Sequence, residues 1–325
     1  DHVVSLHPGN EALVDVPTGR RWTYAELRSD CRRVGKALMA LGLQRGDRVA
    51  IWATNHPEWV LVQLGTAMAG IVLVNINPAY RTHELEYALR NSEVSALLLI
   101  ERFKTSDYVG MVYSICPEAR DSKPGSLMSQ KLPKLKTLAV MSPGEHPGMY
   151  SWSEFLSLGD GIADDELERR QASLDMDDVI NIQYTSGTTG LPKGASLTHH
   201  NILNNGFFVG EGMRFSDKDR LCIPVPFYHC FGMVMSNLTC MSHGATMVLP
   251  GESFDALATL KAVQQERCTA LHGVPTMFIA ELEHPEFDSF DLKSLRTGIM
   301  AGAPCPIEVM KKVTTRMHAG QMTIC

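Results

Sequence analysis

The sequence predicts an α/β fold with doubly wound sheets and helices on both faces. Short segments that are apolar at every position, such as 49–52 and 96–100, alternate with segments whose apolar residues recur at helical spacing. A strand that is apolar at every position has both faces covered, which is typical of a largely parallel sheet. These two observations together predict sheets that are enclosed between helices.

The first predicted helix begins at a capping box, in which the side chains of Thr23 and Glu26 satisfy free backbone donors. Apolar residues then recur at helical spacing until Gly42, a natural C-terminal cap. After the strand at 49–52, the alternation predicts further elements in this order: a helix at 57–69, a strand at 71–74, a helix carrying Leu85, Ala88 and Leu89, and a strand at 96–100.

The middle of the chain changes character. Residues 117–148 are rich in Pro, Gly, Ser and Lys, which predicts a long surface excursion with a strand at 138–141. A polar helix is expected after Asp164, followed by a strand at 179–184. Residues 322–325 have the character of a strand interior with no turn after it. We therefore expect the sequence to be a piece of a longer chain.

Composition excludes several classes of function. The 325 residues carry 30 Lys and Arg against 36 Asp and Glu, a formal net charge of −6, so no basic field is present to hold nucleic acid. The longest apolar stretch, 59–74, is interrupted by Gln63 and two glycines, which predicts a buried helix and a strand instead of a membrane span. Eight cysteines without a C-x-x-C pair indicate reduced thiols and argue against a zinc site or a disulfide scaffold.

The most informative segment is the run of ten residues at 185–194, TSGTTGLPKG. It follows a predicted strand and contains four hydroxyl side chains, three glycines and one lysine. Glycines let backbone N–H groups approach a phosphate closely, hydroxyls donate to its oxygens, and lysine supplies a mobile positive charge. The segment therefore predicts a site for a phosphate chain, with an ordinary polar hairpin as the alternative.

This segment differs from a Walker loop. A Walker loop needs Gly before its lysine and Ser or Thr after it, whereas Pro192 precedes Lys193 and Gly194 follows it. Residues 194–198 look like a returning strand, and the next helix is expected near His199 with Thr198 as its cap. A loop between two strands has no helix dipole at its mouth, so a P-loop kinase or GTPase ranks last among the candidate functions.

The chain resembles the adenylate-forming enzymes, the family of acyl-CoA synthetases, peptide-synthetase adenylation domains and luciferases. The family signature matches, position by position, the segment Thr185, Ser186, Gly187, Thr188, Thr189, Gly190, Leu191, Pro192, Lys193 and Gly194. Further resembling segments follow in the family's order: 22–27, 77–80, 226–232, 273–276 and 301–304. The resemblance thus covers nearly the whole chain.

The resemblance implies a domain organisation. Residues 1–325 would form a truncated N-terminal adenylation domain without its C-terminal lid. Its approximate subdomains would be 1–55 together with 216–325, and 56–215, which carries the phosphate segment.

The resemblance also implies a reaction. In that family a carboxylic acid attacks the α-phosphate of ATP, pyrophosphate leaves, and a thiol then displaces AMP from the acyl-adenylate. ATP, Mg²⁺ and CoA are therefore the implied cofactor, metal and co-substrate. Residues 185–193 would hold the β- and γ-phosphates, with Lys193 as a catalytic charge and Thr185 at the metal. Donors aimed at the departing pyrophosphate would lower the barrier.

Other site residues follow from the same resemblance. The counterpart of His229 lies where acid and adenylate meet, so His229 would position the carboxylate or adenylate; a packed core histidine is the alternative. A general base is not needed, because a carboxylate is already ionised near neutral pH. The adenine ring would lie along Gly302, Ala303 and Pro304, and the acyl tunnel would be lined by Gly273, Val274, Pro275 and Thr276.

The expected substrate is a fatty acid of moderate length. The residues of this sequence most resemble those of medium-chain, mitochondrial members of the family, which implies a location in the mitochondrial matrix. Apolar residues that favour an aliphatic acid are Phe207, Phe208, Met233, Val234 and Met235. The magnesium-binding glutamate, the ribose-binding aspartate and the lid lysine would lie beyond Cys325. We therefore expect this chain alone to hold phosphate weakly and not to turn over.

Two other functions stay open on the sequence. The same chemistry could activate an aromatic or amino acid for the phosphopantetheine arm of a carrier protein. A protein of a different class, a non-catalytic nucleotide-binding module, could use the same fold to sense ATP or to bind a partner. Loss of adenylation on removal of the Lys193 side chain would distinguish the enzymes from the module.

Overall fold

The computed structural model describes residues 1–185 and 192–325. They form two compact units, each built on its own sheet. The first unit comprises Asp1–Arg28, Asn55–Pro57 and Ile202–Cys325, and the second comprises Ser29–Thr54 and Glu58–Asn201. Among the described residues no helix combines the length and the apolar character that crossing a bilayer requires.

The regular elements of the described residues follow one another in α/β alternation. The strands are β1 Glu11–Asp15, β2 Arg20–Thr23, β3 Arg48–Trp52, β4 Val72–Asn75, β5 Ala96–Leu99, β6 Arg102–Phe103, β7 Ser106–Asp107, β8 Thr137–Val140, β9 Tyr150–Ser151, β10 Val179–Thr185, β11 Lys193–Thr198, β12 Arg220–Cys222, β13 Thr246–Leu249, β14 Ala270–Gly273, β15 Thr297–Met300 and β16 Gln321–Ile324. The helices are α1 His2–Leu6, α2 Tyr24–Ala40, α3 Pro57–Met68, α4 Thr82–Asn91, α5 Tyr108–Ile115, α6 Trp152–Ser157, α7 Asp164–Ala172, α8 His199–Met213, α9 Cys230–Gly232, α10 Thr239–His243, α11 Ala256–Gln265, α12 Pro275–Leu282 and α13 Ile307–Arg316.

Both main sheets are largely parallel, as the apolar strands predict. The sheet of the first unit has the order β16-β15-β14-β12-β13-β1-β2, in which β2 alone runs antiparallel to its neighbour. The sheet of the second unit has the order β11-β10-β4-β3-β5-β8-β9, and there β11 is the antiparallel strand. Non-consecutive neighbours in each sheet confirm the doubly wound prediction.

The predicted elements of the N-terminal half are present. The Thr23 hydroxyl accepts from the Glu26 N–H at 3.2 Å, and the Glu26 carboxylate accepts from the Thr23 N–H at 2.8 Å, so the capping box forms. Gly42, which follows α2, adopts φ +79°, a conformation that favours glycine. The buried face of α4 consists of the three predicted residues Leu85, Ala88 and Leu89.

The segment 117–148 folds more closely onto the second unit than a surface excursion would. Its lysines are exposed, but the leucines between them, Leu127, Leu132 and Leu135, are buried. Burying each leucine side chain contributes about 1.5–3 kcal/mol, which is enough to hold the segment against the core while its polar residues stay in solvent. The composition of the segment therefore describes its solvent face and not its apolar anchors.

In the core of the second unit, two aromatic side chains fix the segment 77–80. The rings of Trp52 and Tyr108 stack with centroids 3.8 Å apart. The Trp52 indole N–H donates to the Asn77 carbonyl at 3.2 Å, and the Tyr108 hydroxyl donates to the Pro78 carbonyl at 2.7 Å. The segment after β4 is thus held by hydrogen bonds from buried side chains.

A ring of four charged side chains closes the amino-terminal end of the sheet in the first unit. Arg21 donates to Glu11 at 2.8 Å and to Glu266 at 2.6 Å. Arg220, at the start of β12, donates to the same two carboxylates at 2.6 and 2.7 Å. Because Glu266 is buried, this closed network of charge-assisted bonds stabilises the unit more than isolated surface pairs do.

Candidate functional site

Three of the predicted site segments of the first unit lie at one edge of its sheet. Strands β12, β14 and β15 are parallel neighbours, so their carboxyl ends meet at the same edge. The segment containing His229 follows β12, Gly273 ends β14, and Gly302 follows β15. In parallel α/β sheets, the crevice outside the carboxyl ends of the strands is where ligands bind.

The His229 segment is held in place by a buried asparagine. The Asn55 carboxamide oxygen accepts from the Phe227 N–H at 2.8 Å, and its nitrogen donates to the Val225 carbonyl at 2.9 Å. Asn55 is 4% exposed, so these bonds form out of contact with water. One side chain thereby fixes two backbone positions immediately before His229.

His229 presents one defined ring nitrogen. Its Nδ1 accepts from the Phe231 N–H at 3.1 Å and so caps α9. A nitrogen that accepts from an amide carries no proton, so the ring proton is on Nε2. Desolvation of the ring by its neighbours lowers the pKa of His229, although the residue as a whole is exposed. The ring is therefore a neutral N–H donor near pH 7.

Aromatic side chains flank His229 in the sequence, and they differ in burial. Phe227 and Phe231 are buried, Tyr228 is half-buried, and burial raises the pKa of the Tyr228 hydroxyl. The Sγ atom of Cys230 lies 3.7 Å from His229 Nδ1. The neighbours of His229 are thus apolar or neutral.

Gly232 closes the loop that carries His229, and replacing it by alanine is expected to open that loop. An added Cβ would lie 2.7 Å from the carbonyl carbon of Pro226 and 2.9 Å from the Cα of Phe227, closer than real contacts. Because both neighbours are backbone atoms, we expect the variant to be destabilised by about 1–3 kcal/mol, measured as a lower thermal midpoint. Gly212→Ala is the matched control, since nothing lies within 4 Å of that position. Equal midpoints for the two variants would contradict the expected clash.

The adenine and acyl segments predicted from the resemblance are in contact. The Ala301 N–H donates to the Gly273 carbonyl at 3.2 Å, and a Cβ at Gly302 would lie 3.2 Å from a Val274 methyl group. Gly302 adopts φ +82° and is exposed, as are Ala303 and Pro304. The structure therefore places residues 302–304, an exposed segment called here the Gly302 shelf, beside the half-buried Val274. Pro275 begins α12, with Thr276 exposed on its first turn.

The phosphate segment belongs to the second unit. Thr185, the last residue of β10, pairs with Lys193, the first residue of β11, in antiparallel register. This confirms the predicted return of the chain as a second strand after Lys193. Both side chains are exposed, and the Thr185 hydroxyl donates to the Lys193 carbonyl at 3.4 Å. Helix α8 starts at His199, and the Thr198 hydroxyl accepts from the Asn201 N–H at 3.3 Å, which confirms the predicted cap. The predicted residues Ser186, Gly187, Thr188, Thr189, Gly190 and Leu191 lie outside the described part of the chain.

A buried group of amides fixes the base of this hairpin. Asn181 donates to the Leu73 carbonyl at 2.9 Å and to the Asn75 side-chain oxygen at 3.0 Å, and Asn75 donates to Gln183 at 3.1 Å. These side chains join β10 to β4 within the four residues that precede the phosphate segment. The Tyr184 hydroxyl adds a bond to the Ala88 carbonyl of α4 at 3.2 Å.

Sequence reasoning missed these supporting residues. Their signal was a polar amide within an otherwise apolar strand, as in the segments VLVN and INIQ, because a buried amide must find a partner. Asn55 gave no comparable signal, since it lies outside any strand.

The five apolar residues expected to favour an aliphatic acid differ in burial. Met233 and Val234 are buried and Met235 is half-buried, whereas Phe207 and Phe208 are 41% and 68% exposed.

The fold and the site define a class of protein. A family model described as AMP-binding enzyme matches residues 1–324, and the chain belongs to that family. The putative acyl-CoA synthetase YngI of Bacillus subtilis is 49% identical to it over 324 residues, which cover 100% of this chain and 59% of YngI. The medium-chain acyl-CoA ligase ACSF2, mitochondrial, of Danio rerio is 42% identical, with 99% of this chain and 53% of that protein covered.

A solved structure supports the same fold. The N-terminal domain of FACL13 from Mycobacterium tuberculosis superposes with a TM-score of 0.80 at 24% identity, covering 99% of this chain and 72% of that domain. The chain thus spans between half and three-fifths of the length of the curated relatives it matches.

Proposed function

We propose that this chain forms most of the nucleotide- and acid-binding part of an AMP-forming fatty acid–CoA ligase, which makes acyl-CoA from ATP, a fatty acid and CoA through an acyl-adenylate. The observation that carries the proposal is the gathering of His229, the Val274 segment and the Gly302 shelf at one sheet edge. A carboxylate, an alkyl chain and a flat base each find a matching surface there. The two units would be subdomains of one catalytic domain.

His229 has the properties of a carboxylate-positioning group. Its Nε2–H is free of the intramolecular bond that occupies Nδ1, and its pKa is lowered by burial. A neutral donor can orient an ionised acid without tying it up as a strong ion pair, which leaves the carboxylate oxygen nucleophilic. The role requires no proton transfer at His229, because the acid reacts as its carboxylate.

Lys193 would supply the charge that the departing pyrophosphate needs. Its backbone is fixed by pairing with Thr185, and its exposed side chain is able to reach for a ligand. Charge-assisted bonds of this kind contribute about 1.5–3 kcal/mol each. The buried amides under the hairpin would keep the two strand ends at a fixed separation.

Mg²⁺ fits the residue that the resemblance assigns to it, although one residue does not make a full site. The Thr185 hydroxyl is exposed and its 3.4 Å bond to the Lys193 carbonyl is long, so the oxygen is available to a hard cation. When bound between the phosphates, the ion would neutralise charge on the leaving group. Among the described residues, no group of three or more His, Cys, Asp or Glu side chains is arranged to hold a metal.

A medium-chain acid is the proposed substrate. Support comes from the name of the Danio rerio relative and from the buried apolar residues Met233 and Val234, which follow the His229 segment in the chain. The mitochondrial matrix stays a prediction: it rests on the name of that relative, whereas the Bacillus relative comes from a bacterium.

ATP-dependent pyrophosphate release with a panel of carboxylic acids tests the proposal. The full-length protein is assayed with saturated acids of increasing length, aromatic acids and amino acids, in parallel with residues 1–325 alone. We expect the highest kcat/KM for a fatty acid of moderate length, acyl-CoA on addition of CoA, and no turnover by residues 1–325. Preference for an aromatic or amino acid, or transfer to a carrier protein and not to CoA, would identify the alternative ligases. ATP binding without any acid-dependent release would identify a non-catalytic module.

A further inference from the structure

The His229 segment is followed directly by an unusual helical turn. Residues Met233–Leu238 form a π-helix between α9 and α10. Such turns are rare and concentrate at functional sites, because the widened turn costs stability and persists where other contacts hold it. One contact to this turn comes from α9 and another from β14.

Ser236, in the middle of the π-helix, links two elements. Its hydroxyl lies 3.0 Å from the Phe231 carbonyl oxygen and 2.9 Å from His272 Nδ1. A carbonyl only accepts, so the hydroxyl donates to Phe231 and accepts from the Nδ1–H of His272. Ser236 and His272 are both 0% exposed, and His272 lies in β14 immediately before Gly273.

Phe231 connects this buried pair to the candidate site. Its carbonyl accepts from Ser236, while its N–H donates to His229 Nδ1 at 3.1 Å. Its ring also packs against the ring of His272, with centroids 5.5 Å apart. A path therefore runs from His272 to His229 through two hydrogen bonds at Ser236, the covalent backbone of Phe231 and one further hydrogen bond.

We propose that His272 and Ser236 are positioning residues for His229: they hold the backbone of Phe231 in place and thereby orient the His229 ring toward the acid. Burial lowers the pKa of His272 to about 3, so it remains a neutral single donor throughout the range in which the protein would work. Its Nε2 lies 3.4 Å from the Met213 sulfur, which leaves Ser236 as its oxygen partner among the described residues. The kinetic consequence of this proposal rests on the proposed function, whereas its structural consequence does not.

Cys230 provides a reporter of the position of His229 within residues 1–325. Its thiol is half-buried and 3.7 Å from His229 Nδ1, so displacement of the segment changes its access to a reagent. Alkylation by iodoacetamide is followed by peptide mass spectrometry, with Cys305, which is also half-buried, as the internal reference. We expect His272→Leu and Ser236→Ala to raise the rate at Cys230 about five- to tenfold, the effect of one lost hydrogen bond, with Cys305 unchanged.

Conservative variants separate positioning from a general loss of packing. His272→Asn retains an N–H donor near the Nδ1 position and Ser236→Thr retains the hydroxyl, so both are expected to return the Cys230 rate to within about twofold of the original. In the full-length protein, the same Leu and Ala variants should raise KM for the acid and leave KM for ATP unchanged. The KM for the acid should recover in the conservative variants.

Several outcomes would overturn the proposal. One is an unchanged Cys230 rate in both His272→Leu and Ser236→Ala. Another is an equal rise at Cys230 and Cys305, which would mean general loosening of the unit. A full-length protein that releases no pyrophosphate with any acid would refute the proposed function, yet the alkylation rates would still decide whether the path from His272 to His229 exists.

Discussion

Lys193→Ala in the full-length protein is expected to lower the rate of acyl-adenylate formation by about 10²–10³-fold, the usual effect of removing one group that stabilises developing charge. The side chain is exposed, and the pairing of β11 with β10 uses only the backbone at this position. The variant should therefore fold normally and keep its thermal midpoint. Acid-dependent exchange of labelled pyrophosphate into ATP measures the effect.

Two further variants make this experiment specific. Lys261→Ala removes an exposed lysine elsewhere in the chain, on α11, and should leave the exchange rate unchanged. Lys193→Arg keeps the charge but changes its shape and reach, so an intermediate rate is expected. Normal exchange by Lys193→Ala would show that the phosphate-clamp role is wrong.

The free energy of unfolding of Glu281→Gln, minus that of the unsubstituted chain, is expected to increase as the pH rises. Glu281 lies on α12, is 1% exposed, and its Oε2 has no hydrogen-bond partner among the described residues. Burial raises the pKa of this carboxyl well above its usual 4.5, so the folded protein keeps a proton that the unfolded chain loses above that pH. The free energy of unfolding therefore falls by about 1.4 kcal/mol per pH unit from 4.5 up to the folded-state pKa.

Glutamine has no acid proton to lose, so the variant should not show this decline. Thermal or urea unfolding at pH 5, 6, 7 and 8 gives the free energy of unfolding of the variant and of the parent. His272 also changes stability with pH, in the opposite direction, but it is present in both proteins and cancels in the difference. That contribution arises because the pKa of His272 is lowered, so stability is lost as the pH falls below 6.5. Glu283→Gln, two residues further on and exposed, is the control and should show a constant difference. A constant difference for Glu281→Gln as well would mean that this carboxyl is ionised in the folded protein.

The fold was largely predictable because its signals are local. Continuous apolar segments marked β3, β4 and β5, and a capping box marked the start of α2. The pairing of β10 with β11 followed from a strand before the Gly- and Thr-rich run and a returning strand after it. Each of these depends on residues close in sequence. The buried anchors of segment 117–148 were missed because its average composition hides three leucines whose partners are distant in sequence.

The candidate site was predictable only as a set of segments. That His229, Gly273 and Gly302 share one edge depends on strand order, which the sequence does not encode locally. Asn55 and His272 were not expected, because each acts through a partner more than thirty residues away, at Phe227 and Ser236. Such long-range hydrogen bonds become visible when the strands are placed side by side.

The ring formed by Glu11, Arg21, Arg220 and Glu266 has a practical consequence for protein engineering. It lies at the amino-terminal end of the sheet in the first unit, whereas the His229 segment and the Gly302 shelf lie at the carboxyl-terminal end. Substitutions intended to improve expression or heat tolerance can therefore be confined to one end of the sheet. Those intended to change which acid is accepted belong at the other, so libraries for the two purposes can be built separately and then combined.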